Sequence, residues 1–359
     1  MHRTDPDIEI DGSFGEGGGQ ILRYASTLAT VLGKTTVVKN IRAKRSNPGL
    51  RPQHVAGLKI ISQVSGSNVE GLAIGSTTIR ISPGVPEGGV YSYDVGTAGS
   101  IPLIVQSILP TLLFAKRRSV VSITGGTDVR WSPTADYQRY VLLPTLKAFG
   151  IEARLKVVKR GYYPRGGGKA TLEAEPCDFL RAVRIPREHV ASAQILSVGS
   201  NLPRHVAERQ YKSAEKVLAA EGLERISGKV EALAGPQAMG RGSSVLVHSI
   251  QASGAASGGD SIGERGKPAE RVGQEAVMKY LDWFRSEASV DAHLGDMLIP
   301  FCCLARGSSE FSVPAMTGHM RTALHVQERI AGSSYVLKED EGRAIVRIEG
   351  RGLRREPDL

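Results

Sequence analysis

Three times along this chain of 359 residues a strand-like end runs into a turn that carries glycine and then into an apolar helical run. The first copy is DGSFGEGGGQILRYASTLATVLG at residues 11–33, and the second is YDVGTAGSIPLIVQSILPTLLFA at 93–115. A third, weaker copy is DAHLGDMLIPFCCLARG at 291–307. A unit of this kind cannot bury its apolar face alone, so repetition predicts units that share their helices and carry their sheets on the outside. Hydrophobic periodicity agrees. Strands are expected at 8–10, 36–41, 78–81, 90–93 and 119–124, and helices at 19–32, 53–64, 100–114 and 136–149. The fold class is therefore α/β, or α+β.

A chain of this length exceeds what one core usually supports. The break falls near residue 184, where the apolar pattern gives way to polar helix-like stretches such as 207–220 and a strand-like SVLVHSIQA at 244–252. The glycine- and serine-rich GAASGGDSIGERG at 254–266 reads as a flexible loop. The pattern resumes at Asp291. Residues 1–183 and 285–345 thus form one large domain, 184–284 a smaller inserted α/β domain, and 346–359 a tail.

Lysine and arginine number 46 against 36 acids, a net charge of +10 that favours a polyanionic partner. Aromatic residues are only 5% and do not alternate with the cations, so a long base-stacking surface is not expected. The cysteines, Cys177, Cys302 and Cys303, include no CxxC pair and form no disulfide framework, which points to a reducing cytoplasm. No apolar stretch is long enough to span a membrane.

Five segments carry chemistry. The glycines of 11–24 can bring backbone amides close to an anion at a helix N-terminus, or simply make a strand–turn–helix connection. KNIRAKRSNPGLRPQH gathers Lys39, Arg42, Lys44, Arg45 and Arg51 around a Pro-Gly turn and ends in Gln53-His54; it reads as a phosphate site or a solvated basic strand end. RGYYPRGGGKA at 160–170 flanks a glycine turn with Arg160, Arg165 and Lys169, and fits a junction bulge as well as a ligand contact. SITGGTDVRWSPTADY offers Asp128, Trp131 and Pro133 at a loop rim. In VPAMTGHMRT, His319 follows a Thr-Gly turn, where a neutral imidazole is a competent nucleophile, whereas His325 further along is structural. No histidine pair has zinc spacing.

Taken in order, GEGGGQILR, IRAKRSNPGLRPQH, YDVGTAGSIPLIVQSILP, GGTDVRWSPTADY, RGYYPRGGG, LPRHVAER and VPAMTGHMRT resemble the RNA 3′-terminal phosphate cyclase family over nearly the whole chain. The resemblance implies three repeated units, each a four-stranded sheet with two helices, plus a smaller inserted domain. It implies ATP-dependent conversion of an RNA 3′-phosphate to a 2′,3′-cyclic phosphodiester, with His319 as the residue that carries AMP. Glu16 would help bind Mg2+ or Mn2+. Gln106, Pro133 and the segment His293-Leu294-Gly295-Asp296-Met297 would surround the adenosine, with Asp296 towards the ribose. Arg23, Arg42, Arg45 and Gln53 would surround the phosphates. Many family members carry tyrosine where this chain has His293 and glutamine where it has Met297. A related branch lacks the histidine and serves in ribosome assembly; this chain keeps it. The partners expected are RNA 3′-phosphate ends and ATP, no membrane, and a homodimer as the assembly considered. The runner-up is a non-catalytic RNA-binding or ribosome-assembly protein of the same fold, and a third reading is a carboxyvinyl transferase of similar repeated architecture.

Overall fold

A computed structural model describes residues 7–340 and 342–355. The first unit is β1 (Ile8–Asp11), α1 (Gly19–Val31), β2 (Thr36–Lys39), α2 (Pro52–Ser65), β3 (Asn68–Glu70) and β4 (Ile79–Ser82). Its sheet has the order β1-β2-β4-β3, with β1 parallel to β2 and the rest antiparallel. α1 turns Ile21, Leu22, Ala25, Leu28 and Ala29 inward, as its 3.6-residue period requires. α2 starts on Pro52, whose fixed φ suits the first helical turn, and stops at Gly66 with φ 65°.

The second unit repeats the layout. β5 (Gly89–Asp94), α3 (Ile101–Leu113) and β6 (Ser119–Gly125) lead into a helical run. That run comprises α4 (Ala135–Tyr137), a π turn Gln138–Leu142, α5 (Leu143–Leu146) and a 3-10 turn Lys147–Phe149. β7 (Ala153–Lys159) and β8 (Gly168–Ala174) complete a sheet of order β5-β6-β8-β7, again parallel only at its first pair.

Between the second unit and the next helix pair lies a separate sheet. Its elements are β9 (Ser192–Ser200), α6 (Arg204–Ala220), β10 (Arg225–Leu233), β11 (Gly242–Ile250), β12 (Ala256–Ile262) and α7 (Ala269–Phe284), with strand order β10-β9-β11-β12. α6 and α7 close its face over Ile195, Leu218, Val247, Val277, Tyr280 and Trp283. The stretch expected to be a flexible loop is instead the buried strand β12. Its small residues are required by close packing on both faces. A Cβ on Gly259 would stand 2.3 Å from Ala276 O in α7, and one on Gly258 would stand 2.9 Å from Val141 Cγ2 in the second unit's helical run.

The third unit follows as α8 (Ala292–Leu304), β13 (Ser308–Val313), α9 (Gly318–Ala331), β14 (Tyr335–Asp340) and β15 (Arg343–Glu349). Its sheet has three strands, β13-β15-β14, rather than the four expected. The place of the first strand is taken by residues 181–185. Arg181 and Arg184 bridge Arg306 and Glu310 in parallel, and Ile185 N donates to Glu310 O at 2.9 Å. Pro186, which has no N–H, ends the pairing there. The inserted sheet therefore enters between the first-strand segment and the first helix of the third unit. β15 continues to Glu349, into the stretch expected as a tail, and residues 356–359 lie outside the described residues.

The three units share one apolar core that α1, α2, α3, α8 and α9 fill from the inside, with α1 packed on both α3 and α9. Cys302 and Cys303 belong to that core. Among the described residues no helix is long and apolar enough to cross a membrane.

Candidate functional site

Helix N-termini from all three units meet in a closed ring. A Cβ on Gly19, at the start of α1, would stand 2.3 Å from His54 Nε2 at the start of α2. Gln53 Oε1 in turn accepts from Ser100 N, the N-cap of α3, at 3.3 Å. Ser100 Oγ lies 2.5 Å from Ser132 Oγ in the loop that opens the second unit's helical run. From that run, Tyr137 OH donates to Asp291 Oδ1 at 2.6 Å, and Asp291 caps α8 by accepting from His293 N and Leu294 N. One turn into α8, Asp296 Oδ1 accepts from Thr317 Oγ1 at 2.6 Å, and Thr317 caps α9 by accepting from Met320 N. The ring closes where His319 Nε2 on α9 stands 3.3 Å from Glu16 Oε2 in the loop before α1. Each N-terminus contributes unpaired amides and the positive end of a helix dipole, so the mouth suits an anion.

Arginines reinforce it. Arg45 Nη2 lies 3.5 Å from Glu16 Oε2. Arg23 Nε is buried and makes no hydrogen bond within the protein. Burial, with Arg51 and Arg45 adding, lowers the pKa of Arg42, so three guanidinium groups crowd one another. Arg42 also adopts φ 54° and donates to Asn47 O and Gly49 O, which holds the Pro-Gly turn in shape. His54 sits within this cluster, where burial, with Arg23, Arg42 and Arg51 adding, pushes its pKa down to about 3. Its Nδ1 accepts from Arg51 N at 3.1 Å, so the neutral ring caps α2.

His319 is exposed in the mouth. Partial burial lowers its pKa, Glu16 opposes this, and Arg23 adds to it. The net effect of these surroundings favours the uncharged ring. The glycine loop is fitted to α9 along one helical stripe. A Cβ on Gly15 would meet Thr322 Oγ1 at 2.7 Å, Phe14 stacks on His325 with ring centroids 3.9 Å apart, and a Cβ on Gly318 would meet Glu16 Oε1 at 3.0 Å.

The remaining expected residues divide. Gln106 Nε2 donates to Met297 Sδ at 3.2 Å, and His293 is exposed with its ring edge-on to Tyr137. Pro133 is half-buried directly after Ser132. Leu294 and Gly295, expected around a nucleotide, face the core instead. Leu294 is fully buried, and a Cβ on Gly295 would meet Val313 Cγ1 at 2.4 Å, because one face of α8 must pack on β13. Asp296 is buried too, and burial, with Asp291 and Glu16 adding, raises its carboxyl to about 8. Two more expectations are corrected. Asp128 is not at a rim and Arg160 does not flank an open turn, since Arg160 bonds Asp136 at 2.6 Å and Asp128 at 3.3 Å in a buried set. The junction needs this arrangement because neither charge is stable there without the other. Residue-type reasoning gave no role to Thr317, Tyr137 or Tyr24, whose OH donates to Asp296 O at 2.7 Å; for Thr317 its cap position before α9 was the available signal.

A ring of helix N-termini with arginines beside an exposed imidazole marks the candidate site of this α/β protein. The chain belongs to the RNA 3′-terminal phosphate cyclase family, whose model matches residues 14–337. It is 42% identical over 350 residues to an RNA 3′-terminal phosphate cyclase of Pyrobaculum aerophilum, covering 97% of this chain and 99% of that one. The like-named protein of Archaeoglobus fulgidus is 43% identical over 340 residues, covering 95% and 100%. That of Hyperthermus butylicus is 44% identical over 329 residues, covering 89% and 90%.

Proposed function

We propose that this chain converts RNA 3′-terminal phosphates to 2′,3′-cyclic phosphodiesters, using ATP, with His319 as the nucleophile. The observation that carries the reading is His319 at the N-terminus of α9, its Nε2 3.3 Å from Glu16 Oε2, inside the arginine-lined mouth of a chain of this family. The imidazole nitrogen attacks the α-phosphorus of ATP, and diphosphate leaves with the electrons of the broken P–O bond. An oxygen of the RNA 3′-phosphate then displaces the histidine, breaking the P–N bond and leaving AMP joined to the RNA end. Last, the vicinal 2′-hydroxyl attacks the RNA phosphorus, AMP departs and the hydroxyl proton passes to solvent. Splitting the reaction in this way replaces one hard displacement with easier ones.

Arg23, with its unpaired Nε, and Arg42, Arg45 and Gln53 hold the phosphates of ATP and RNA. Gln106, Pro133, His293 and Met297 border the adenosine, while Leu294 and Gly295 contribute through the placement of α8. Asp296 uses Oδ1 to hold Thr317 and leaves Oδ2 for a ribose hydroxyl. The donor set fits a metal that arrives with the nucleotide: Glu16 is a single exposed carboxylate, and the described residues contain no cluster that could hold an ion alone. Mg2+, or Mn2+, takes its other ligands from phosphate oxygens and water and supplies neutralising charge. The free thiols fit a cytoplasmic location.

Incubation with α-labelled ATP and Mg2+ tests the reading. The chain should acquire acid-labile AMP, and His319→Ala should not. A wild-type chain that takes up no label yet binds 3′-phosphorylated RNA would instead be a non-catalytic RNA-binding member of the family.

A further inference from the structure

Beside the mouth lies a surface that the proposed reaction leaves unused. Trp131 is 95% exposed, and its φ of 64° places a bulky residue in the left-handed region. Tyr163, from a second loop, is 75% exposed. The two loops are fastened side by side. Asp128 bridges Tyr162 in parallel, Thr127 N donates to Gly161 O at 2.8 Å, and the buried Arg160 pairs with Asp128 and Asp136 beneath them. The aromatic rings thus stand in water on a rigid base. The first loop continues through Ser132 and Pro133 into the ring of helix N-termini, so Trp131 stands beside the mouth and Tyr163 on the loop fastened to it.

The surrounding charge selects the occupant. Arg130, next to Trp131, is held by Glu264 and is also close enough to Tyr163 to feel its charge, while Arg165 on the second loop and Lys169 in β8 are exposed. A docked protein would call for a contiguous apolar patch, whereas two separate rings among cations match successive bases on a phosphate backbone. We propose that Trp131 and Tyr163 form a short stacking platform for the one or two unpaired nucleotides on the 5′ side of the terminal phosphate, a proposal that rests on the reading of the site as an RNA-end site. The platform is short, which agrees with the low aromatic content.

Intrinsic fluorescence isolates it, because the other tryptophan, Trp283, is fully buried. A 3′-phosphorylated octanucleotide should quench the emission of Trp131. The same oligonucleotide with abasic sites next to its terminal nucleotide should lose most of the quench. Trp131→Ala and Tyr163→Ala should each raise KM for the oligonucleotide about tenfold, leave KM for a nucleoside 3′-phosphate unchanged and still take up AMP, which also shows that they fold. Trp131→Phe and Tyr163→Phe should restore much of the loss. Unchanged KM in both alanine variants, or an oligonucleotide that leaves the fluorescence unaltered, overturns the platform, the latter leaving the rings to a protein partner. If the wild-type chain takes up no AMP, the reaction fails instead, and the quench titration alone decides the platform: quench upholds it and its absence overturns it.

Discussion

Asp296→Asn is expected to make the chain more stable, and increasingly so as the pH rises. The asparagine carbonyl can still accept from Thr317 Oγ1, so the cap of α9 is preserved. What changes is the proton. Burial raises the Asp296 carboxyl from an ordinary 3.8 to about 8, so the folded chain retains a proton that the unfolded chain releases between those values. The stabilisation is fully present below pH 3.8 and is lost as the pH climbs through about 8. A difference of one bound proton amounts to about 1.36 kcal/mol per pH unit. Between pH 5 and pH 7 the wild type should therefore lose about 2.5 kcal/mol relative to the variant. Urea unfolding of both proteins at pH 5, 6, 7 and 8, followed by circular dichroism, measures the difference. Parallel curves would show that Asp296 is ionised throughout and that its burial is tolerated by some other means.

Two further outcomes follow from packing. Arg160→Met leaves the carboxyl groups of Asp128 and Asp136 buried without their cation and should cost about 3–5 kcal/mol; adding Asp128→Asn and Asp136→Asn should recover most of it, and a single-variant loss below about 1 kcal/mol in chemical denaturation would refute the argument. Gly15→Ala puts a methyl group 2.7 Å from Thr322 Oγ1 at a φ of 58°, so it should push Glu16 away from His319 and slow AMP uptake severalfold, with Thr322→Ala restoring part of the rate; uptake at the wild-type rate would show that the loop does not set the position of Glu16.

Local pattern was enough for the mixed α/β class. α1 and α3 could be read from their apolar period, and glycine or a cap residue marks where each begins. Composition misled where packing decided. Glycine and serine in β12 look like a loop, yet they are there because α7 and the second unit's helical run press on the strand from both faces. Neither helix is near in sequence, so no local window contains the reason. The first strand of the third unit was illegible for a different cause. Residues 181–185 pair only at intervals before Pro186, and the helix they should precede begins about a hundred residues later.

The site shows the same division between residue type and placement. The cluster from Arg42 to Arg51 and the imidazole after the Thr-Gly turn can be picked out by residue type, but each also has an ordinary structural reading, and it is the family resemblance that assigns roles to His319 and Glu16. That Leu294 and Gly295 take the core side of α8 could not be read from their membership in a motif, which does not say which side of a helix a residue takes; β13 fixes that. The ring itself is a property of repetition. In each unit the two strand segments that lead into the helices run parallel, so the chain enters both helices from the same end of its sheet and three units sharing one core bring their helix N-termini to one side. Glu16 and His319 lie about three hundred residues apart, and the link between them is the last contact in that ring. Charge follows from geometry here: amides and dipole ends converge first, and the arginines and the exposed Glu16 carboxylate then tune a mouth that the repeated architecture has already made positive.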